Sequence, residues 1–278
     1  MKIEEIKVSE CAAFPDNPFR VRDDEGMELL VQSIREFGVM TPVVLCPVTK
    51  GGYEIISGHR RIHACKRAGI EKVPALVRDM KRDSAVIFMV DSNIQREGLL
   101  PSEKAFAFKM KVEALHHQGK TSVQLGQKSS RGIVAEKAGE SETQVQRYIR
   151  LTKLEKPLLA LVDEGRIAFT PAVELSYLSR KEQQHLIETI ESEDCTPSLS
   201  QAIRMRKLSS EGLLNMDSIF KIMTEIKGNQ KEFIKLPSER FGRYLNKFHT
   251  PQQREDFLLK ALSYYVKYLE RQRSRDVR

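Results

Sequence analysis

Residues 53–64 read Tyr-Glu-Ile-Ile-Ser-Gly-His-Arg-Arg-Ile-His-Ala (YEIISGHRRIHA). The apolar run Tyr53, Ile55, Ile56 predicts a strand, and Gly58 followed by two arginines predicts a helix start. A strand that passes through glycine into a helix N-terminus presents free backbone N–H groups at the positive end of the helix dipole. Arg60 and Arg61 add fixed charge with bidentate donor geometry, so this junction is suited to phosphate oxygens. The same string also fits a plain strand-to-helix turn with solvated arginines. The company it keeps along the chain decides between the two.

Upstream, Glu25–Phe37 places Met27, Leu30, Val31, Ile34 and Phe37 on one helical stripe, with Gly38 as its stop. Pro42-Val-Val-Leu-Cys-Pro47 reads as a buried strand, and Gly51-Gly52 turns it into Tyr53–Ile56. The helix from Arg60 ends at Gly69, Val73–Val77 makes a third strand, and Ser84–Asp91 returns to helix. Strands and helices alternate over residues 3–97, which predicts a small sheet carrying helices.

From Pro101 the strand signals fade. Pro101 opens a long helix with Ala105, Phe108, Val112 and Leu115 on its core face. Gly119–Gly132 is polar and reads as a mobile loop or weak helix. Short helices follow to about Leu208, breaks stand at Thr196-Pro197 and Ser209–Gly212, and Met216–Arg278 is helical again with a basic tail.

Ile133–Leu151 (IVAEKAGESETQVQRYIRL) carries a second constellation. Ala135 allows two helices to approach, Gly139 supplies a tight turn, and Ser141-Glu-Thr-Gln144 is a capping-box pattern for the second helix. Val145 and Ile149 fall on the buried side. Thr143, Gln144, Gln146, Arg147 and Arg150 are left to face major-groove edges and phosphates. Between Lys120 and Lys153 there are seven basic residues against three acidic. Turn, cap, polar face and charge together predict a DNA-binding helix-turn-helix rather than an ordinary helical hairpin.

Bulk properties agree. In 278 residues, 46 Lys and Arg oppose 38 Asp and Glu, a formal charge of +8 that favours a polyanionic partner. No apolar run approaches the roughly 20 residues of a membrane span, and the polar N-terminus resembles neither a secretory signal nor a transit peptide, so a cytoplasmic protein is expected. The four cysteines (Cys11, Cys46, Cys65, Cys195) are scattered without a Cys-x-x-Cys pair, which argues against a disulfide framework or structural zinc. His59, His63 and Cys65 could offer metal ligands but lack an acidic companion in the sequence.

A third element, Asp91-Ser92-Asn93-Ile94-Gln95-Arg96, follows the first two motifs in order. Ser57–Ala64, Ser92–Arg96 and the helix-turn-helix together resemble the ParB family of DNA-partition proteins, and Asn17-Pro18-Phe19-Arg20-Val21-Arg22 is similar to that family's Asn-Pro-x-Gln-Pro-Arg opening. The similarity runs from Ile3 to about Lys207. It implies an α+β N-terminal ParB-like domain (1–98), a mainly α helix-turn-helix domain (99–208) and a helical C-terminal segment (209–278) that could dimerise, predominantly helical overall. It implies a homodimer on double-stranded DNA with an inverted-repeat, centromere-like site, a CTP-gated clamp, and a partner ATPase of the ParA type. Carried over by residue, Gly58, His59, Arg60 and Arg61 would form the nucleotide loop, Arg22 would add a phosphate contact, and Asn93 would help hold Mg²⁺. Ser92 stands where the family has glutamate and supplies no carboxylate, so the resemblance implies CTP binding ahead of efficient hydrolysis.

Two alternatives remain. One is a site-specific transcriptional regulator of a mobile element, without clamp activity. The other is an enzyme on a sulfiredoxin-like fold. That would need a thiolate beside the loop glycine, where His59 stands instead of Cys65, or a nuclease's carboxylates from Asp79, Asp83 and Asp91.

Overall fold

The computed structural model describes residues 3–49, 51–118, 129–225, 238–245, 247 and 250–276. It divides into two compact units, Met1–Glu225 and Ile226–Arg278.

The first unit begins with a five-stranded mixed sheet. Its strands are β1 (Ile3–Lys7), β2 (Cys11–Ala13), β3 (Val43–Pro47), β4 (Tyr53–Ser57) and β5 (Lys72–Val77), in spatial order β1-β5-β3-β4-β2. β3 and β4 form the antiparallel hairpin turned by Gly51 and Gly52, whose φ values of 90° and 82° favour glycine. β3 and β5 are parallel, so the chain must cross over between them, and it does so through α2 (His59–Ala68).

Alternation along the strands sends side chains to two cores. Leu45 and Ile55 pack against Met27, Val31 and Ile34 of α1 (Glu25–Phe37) and Ile62 and Cys65 of α2. Their neighbours Cys46 and Ile56 point the other way, onto Ala85, Met89 and Val90 of α3 (Arg82–Asn93) and Ala107 and Ala114 of α4 (Pro101–His117). The sheet is therefore covered on both faces.

The three strands and the helices expected from the sequence are present. β1 and β2 were not anticipated. Each is an edge strand with a single buried position, Ile6 and Cys11, so neither carries the alternation that betrays a strand in sequence. Their hydrogen bonds come from partners far along the chain, such as Ile6 opposite Val73 and Cys11 opposite Tyr53.

Beyond α4 the described residues of the unit carry helices without strands: α5 (Ser130–Ala138), α6 (Glu142–Leu151), α7 (Lys156–Asp163), α8 (Phe169–Leu175), α9 (Arg180–Glu193), α10 (Leu199–Ser210) and α11 (Met216–Thr224). Leu151, Leu158, Ile167, Leu175, Leu186 and Ile219 form the core shared by the helices from α6 onward, while Val134 and Ala135 of α5 pack with Phe108, Leu115 and Val145. Ser179 and Ser198 cap α9 and α10 through reciprocal bonds with Glu182 and Gln201. The expected polar stretch Gly119–Gly132 falls mostly outside the described residues (119–128), and its described end forms the cap and first turn of α5.

The second unit contains α12 (Ser238–Leu245) and α13 (Pro251–Asp276). The last residues of the basic tail lie outside the described residues. The α+β N-terminal part, the helical middle and the helical C-terminal end agree with the sequence reading.

Candidate functional site

The opening motif forms the β4–α2 junction. Gly58 caps α2 with φ 105°, and a Cβ there would lie 2.6 Å from Val43 Cγ1. Both conformation and the close approach of β3 therefore demand glycine. The two arginines then diverge. Arg61 turns back under the loop and donates from Nη1 to the carbonyls of Thr41 and Pro42, the latter at 2.8 Å. Burial lowers its pKa from the usual guanidinium range. Arg60 faces outward and meets Asp24, the N-cap of α1, at 3.5 Å. Among the described residues His59 Nε2 is buried without a hydrogen-bond partner, and burial holds its pKa at about 4.

Arg60 lines a pocket of about 220 Å³ with Arg20, Arg22, Arg96, Asp24, Glu97, Gly98 and Glu103. Glu103 is nearly sealed: its oxygens accept from the backbone N–H groups of Arg20 (2.8 Å) and Leu100 (2.9 Å), and Arg22 lies 4.0 Å away. Four arginines and three acidic residues line this concave space, a surplus of positive charge suited to an anion. Whole small-molecule sites run to roughly 300–1,000 Å³, so this space suits a chain of phosphates rather than an entire nucleotide.

Of the expected nucleotide residues, Arg22 and Arg60 line the pocket. Gly58, His59 and Arg61 shape the loop beneath it. Asn93 sits at the end of α3, one turn before Arg96, with its Nδ2 donating to Met89 O at 2.8 Å, which leaves Oδ1 as its accepting atom. One amide oxygen is enough for Mg²⁺ when phosphates and waters complete the shell, so the residue type fits. Ser92 donates to the same carbonyl at 2.9 Å. Arg20, Arg96 and Glu103 were not assigned from sequence, although the first two lie inside the quoted motifs.

Burial pushes the Cys65 thiol up, away from a reactive thiolate. His63 does have an acidic partner, Asp23 at 2.9 Å, supplied from a distant part of the sequence. Asp83 meets His117 and Asp91 meets Lys111, and among the described residues no three His, Cys, Asp or Glu side chains gather as a metal site.

The helix-turn-helix is α5 and α6. Gly139 (φ 68°) closes α5, and Ser141 Oγ accepts from Gln144 N at 3.1 Å to start α6. The capping box is half formed, because Gln144 Oε1 accepts from Arg147 at 3.3 Å. Ala135 and Val145 are buried at the crossing and Ile149 is half-buried. Gly132 also matters: a Cβ there would lie 2.6 Å from Glu142 Oε1.

The expected DNA-facing residues separate into two groups. Thr143 and Gln146 are exposed, and Gln146 accepts from Arg131 at 2.7 Å. Arg147 donates to Thr170 at 3.0 Å and lies over Phe169, while Arg150 donates to Ser176 Oγ and O and stacks on Tyr177 at 3.9 Å. Tyr177 is clasped on its other side by Arg206 at 3.8 Å. These arginines tie α6 to α8 and its C-terminal end as well as carrying charge.

The end of α3 and the turn just after it (91–96) bridge the pocket and the helix-turn-helix. Arg96 lines the pocket, Gln95 Nε2 donates to Lys137 O at the end of α5 (2.8 Å), and Asp91 pairs with both Lys111 and Lys137.

The family model described as the ParB N-terminal domain matches residues 1–94, and that described as the ParB HTH domain matches residues 116–204.

The chain belongs to the ParB family.

Among its ParB relatives is a Pseudomonas putida protein named probable chromosome-partitioning protein ParB, 30% identical over 194 residues, which cover 70% of this chain and 63% of the relative. The chain thus spans less than two thirds of the length of that relative. Similar solved structures include the C-terminally truncated chromosome-partitioning protein ParB of Caulobacter crescentus complexed to the centromeric parS site, with 22% identity, TM-score 0.44, and coverage of 73% of this chain and 98% of that one. The same Caulobacter crescentus protein complexed with CTP-gamma-S matches with 25% identity and TM-score 0.33, covering 69% of this chain and 99% of that one. Among the described residues of this ParB chain, no helix is long and apolar enough to cross a membrane.

Proposed function

We propose that this ParB-family chain is a sequence-specific partition protein that binds a centromere-like, inverted-repeat DNA site and is gated by CTP. The observation that carries this reading is the meeting, within one compact unit, of an arginine-lined pocket and a helix-turn-helix, bridged by the turn that follows α3. Residues 1–98 serve as the nucleotide domain, 99–208 as the DNA-binding domain, and 209–278 as a segment suited to dimer contacts. Gly58, His59, Arg60 and Arg61 form the nucleotide loop, and Arg22, Arg60 and Arg96 neutralise the phosphates. Asn93 Oδ1 is the residue atom suited to Mg²⁺, which when bound would screen charge between phosphate oxygens.

On the DNA side, Thr143, Gln144 and Gln146 suit base edges in the major groove, and Arg147 and Arg150 suit the flanking phosphates. A two-fold site calls for a homodimer, so that two copies of α6 occupy successive half-sites. Such a protein works on DNA in the cytoplasm, and a ParA-type ATPase is the partner the family assignment suggests. The Ser92 hydroxyl is engaged within its own helix and offers no carboxylate, which favours nucleotide binding over rapid turnover.

The test is coverage of DNA beyond the binding site. With CTP and Mg²⁺, a clamp protects DNA far outside its inverted repeat, and removal of CTP confines it to the repeat. Protection limited to the repeat with and without CTP supports the plain regulator instead.

A further inference from the structure

Arg20 stands at the rim of the arginine pocket, between β2 and α1. Its backbone is pinned, with the N–H donating to Glu103 Oε1 at 2.8 Å. Its side chain is 65% exposed, and its guanidinium reaches Asp163 Oδ2, at the end of α7, only at 3.9 Å. Asp163 does not depend on that contact. Its Oδ1 accepts from Ser102 N at 3.0 Å and its Oδ2 from the Ser102 hydroxyl at 2.6 Å. An exposed ion pair at this length contributes about 0–1 kcal/mol, so little holds the Arg20 head in place.

The groups facing it leave room for an anion. Two of the three pocket carboxylates are committed: Asp24 caps α1 and meets Arg60, and Glu103 accepts from two backbone amides. Glu97 is the remaining one in a lining that holds four arginines.

We propose that Arg20 is an additional phosphate-binding residue: on nucleotide entry its guanidinium leaves Asp163 and closes on the phosphate chain. This rests on the reading of the pocket as a nucleotide site. A planar fork with a fixed backbone can bridge two phosphate oxygens, which an ammonium cannot do bidentately and an amide cannot do with charge. Because Asp163 belongs to α7, phosphate and the helical part of the unit compete for one side chain.

The experiment is calorimetric titration of the full chain with CTP and, separately, with inorganic tripolyphosphate, at fixed salt and Mg²⁺. Wild type is compared with Arg20→Gln and Arg20→Lys. The expected result is an affinity about tenfold lower for Arg20→Gln with both ligands, the loss of one charge-assisted contact, and partial recovery in Arg20→Lys. Arg20→Gln binding CTP and tripolyphosphate as tightly as wild type overturns the role of Arg20 while leaving the pocket's reading intact. Wild type binding neither ligand overturns the nucleotide reading itself, and the role of Arg20 with it.

Discussion

The ammonium of Lys111 on α4 pairs with the carboxylate of Asp91 on α3 while the lysine side chain is only 2% exposed. A lysine so deeply placed is tolerated because its charge is met. Removing the carboxylate leaves that charge buried and uncompensated. Asp91→Asn is expected to lower folding stability by roughly 3 kcal/mol, whereas Lys111→Met, which removes the buried charge and keeps its volume, costs much less. Urea unfolding of the two variants checks the order.

The paired arginines of the opening motif divide their labour. Arg61 holds the carbonyls of Thr41 and Pro42, so Arg61→Ala is expected to destabilise the fold by about 2 kcal/mol. Arg60 makes one longer ion pair at the pocket wall, so Arg60→Ala should keep wild-type stability within about 1 kcal/mol. Thermal unfolding and nucleotide titration on both proteins separate the roles, and equal stability losses would contradict the division.

His59 gives a pH signature. Burial holds its folded pKa at about 4, against 6.5 for the ordinary side chain. Above pH 6.5 both folded and unfolded states are neutral and His59 costs nothing. Between pH 6.5 and 4 the unfolded chain binds a proton that the folded one refuses, so stability falls as the pH drops, by up to roughly 3 kcal/mol once pH 4 is passed. His59→Gln is expected to remove that share of the acid-side slope. Parallel slopes for variant and wild type would rule His59 out.

On the DNA side, the exposed and the anchored residues should behave differently. Gln146→Ala is expected to cost about 1–3 kcal/mol at the specific site and to relax the preference at one base position. Arg131→Ala should weaken all DNA sequences alike and reduce the slope of log affinity against log salt by about 1. Arg150→Ala should also lower thermal stability, because its contacts to Ser176 and Tyr177 join α6 to the end of α8. Affinity measured over a salt series, beside thermal melts, distinguishes the three.

Much of this was legible in the residues. The β4–Gly58–α2 junction, the α5–Gly139–α6 turn and the α1 stripe each rest on local signals: a glycine at positive φ, a serine cap, a helical period. What was not legible depends on distant chain segments. β1 and β2 are strands only because β5 and β4 pair with them. The pocket draws arginines from residues 20, 22, 60 and 96, and no local period links these positions. The fate of Arg61 was equally hidden, since its partners lie some 20 residues upstream.

The central claim is that the arginine pocket binds CTP and thereby controls DNA binding by α6. Its most direct test is titration of the full chain with each of the four ribonucleoside triphosphates, with Mg²⁺ and with or without an inverted-repeat DNA site, for wild type and Arg96→Ala. The account predicts selective binding of CTP by wild type, strengthened by the DNA site and lost by at least about tenfold in Arg96→Ala. Absence of binding to any of the four, or equal binding by wild type and Arg96→Ala, would contradict it.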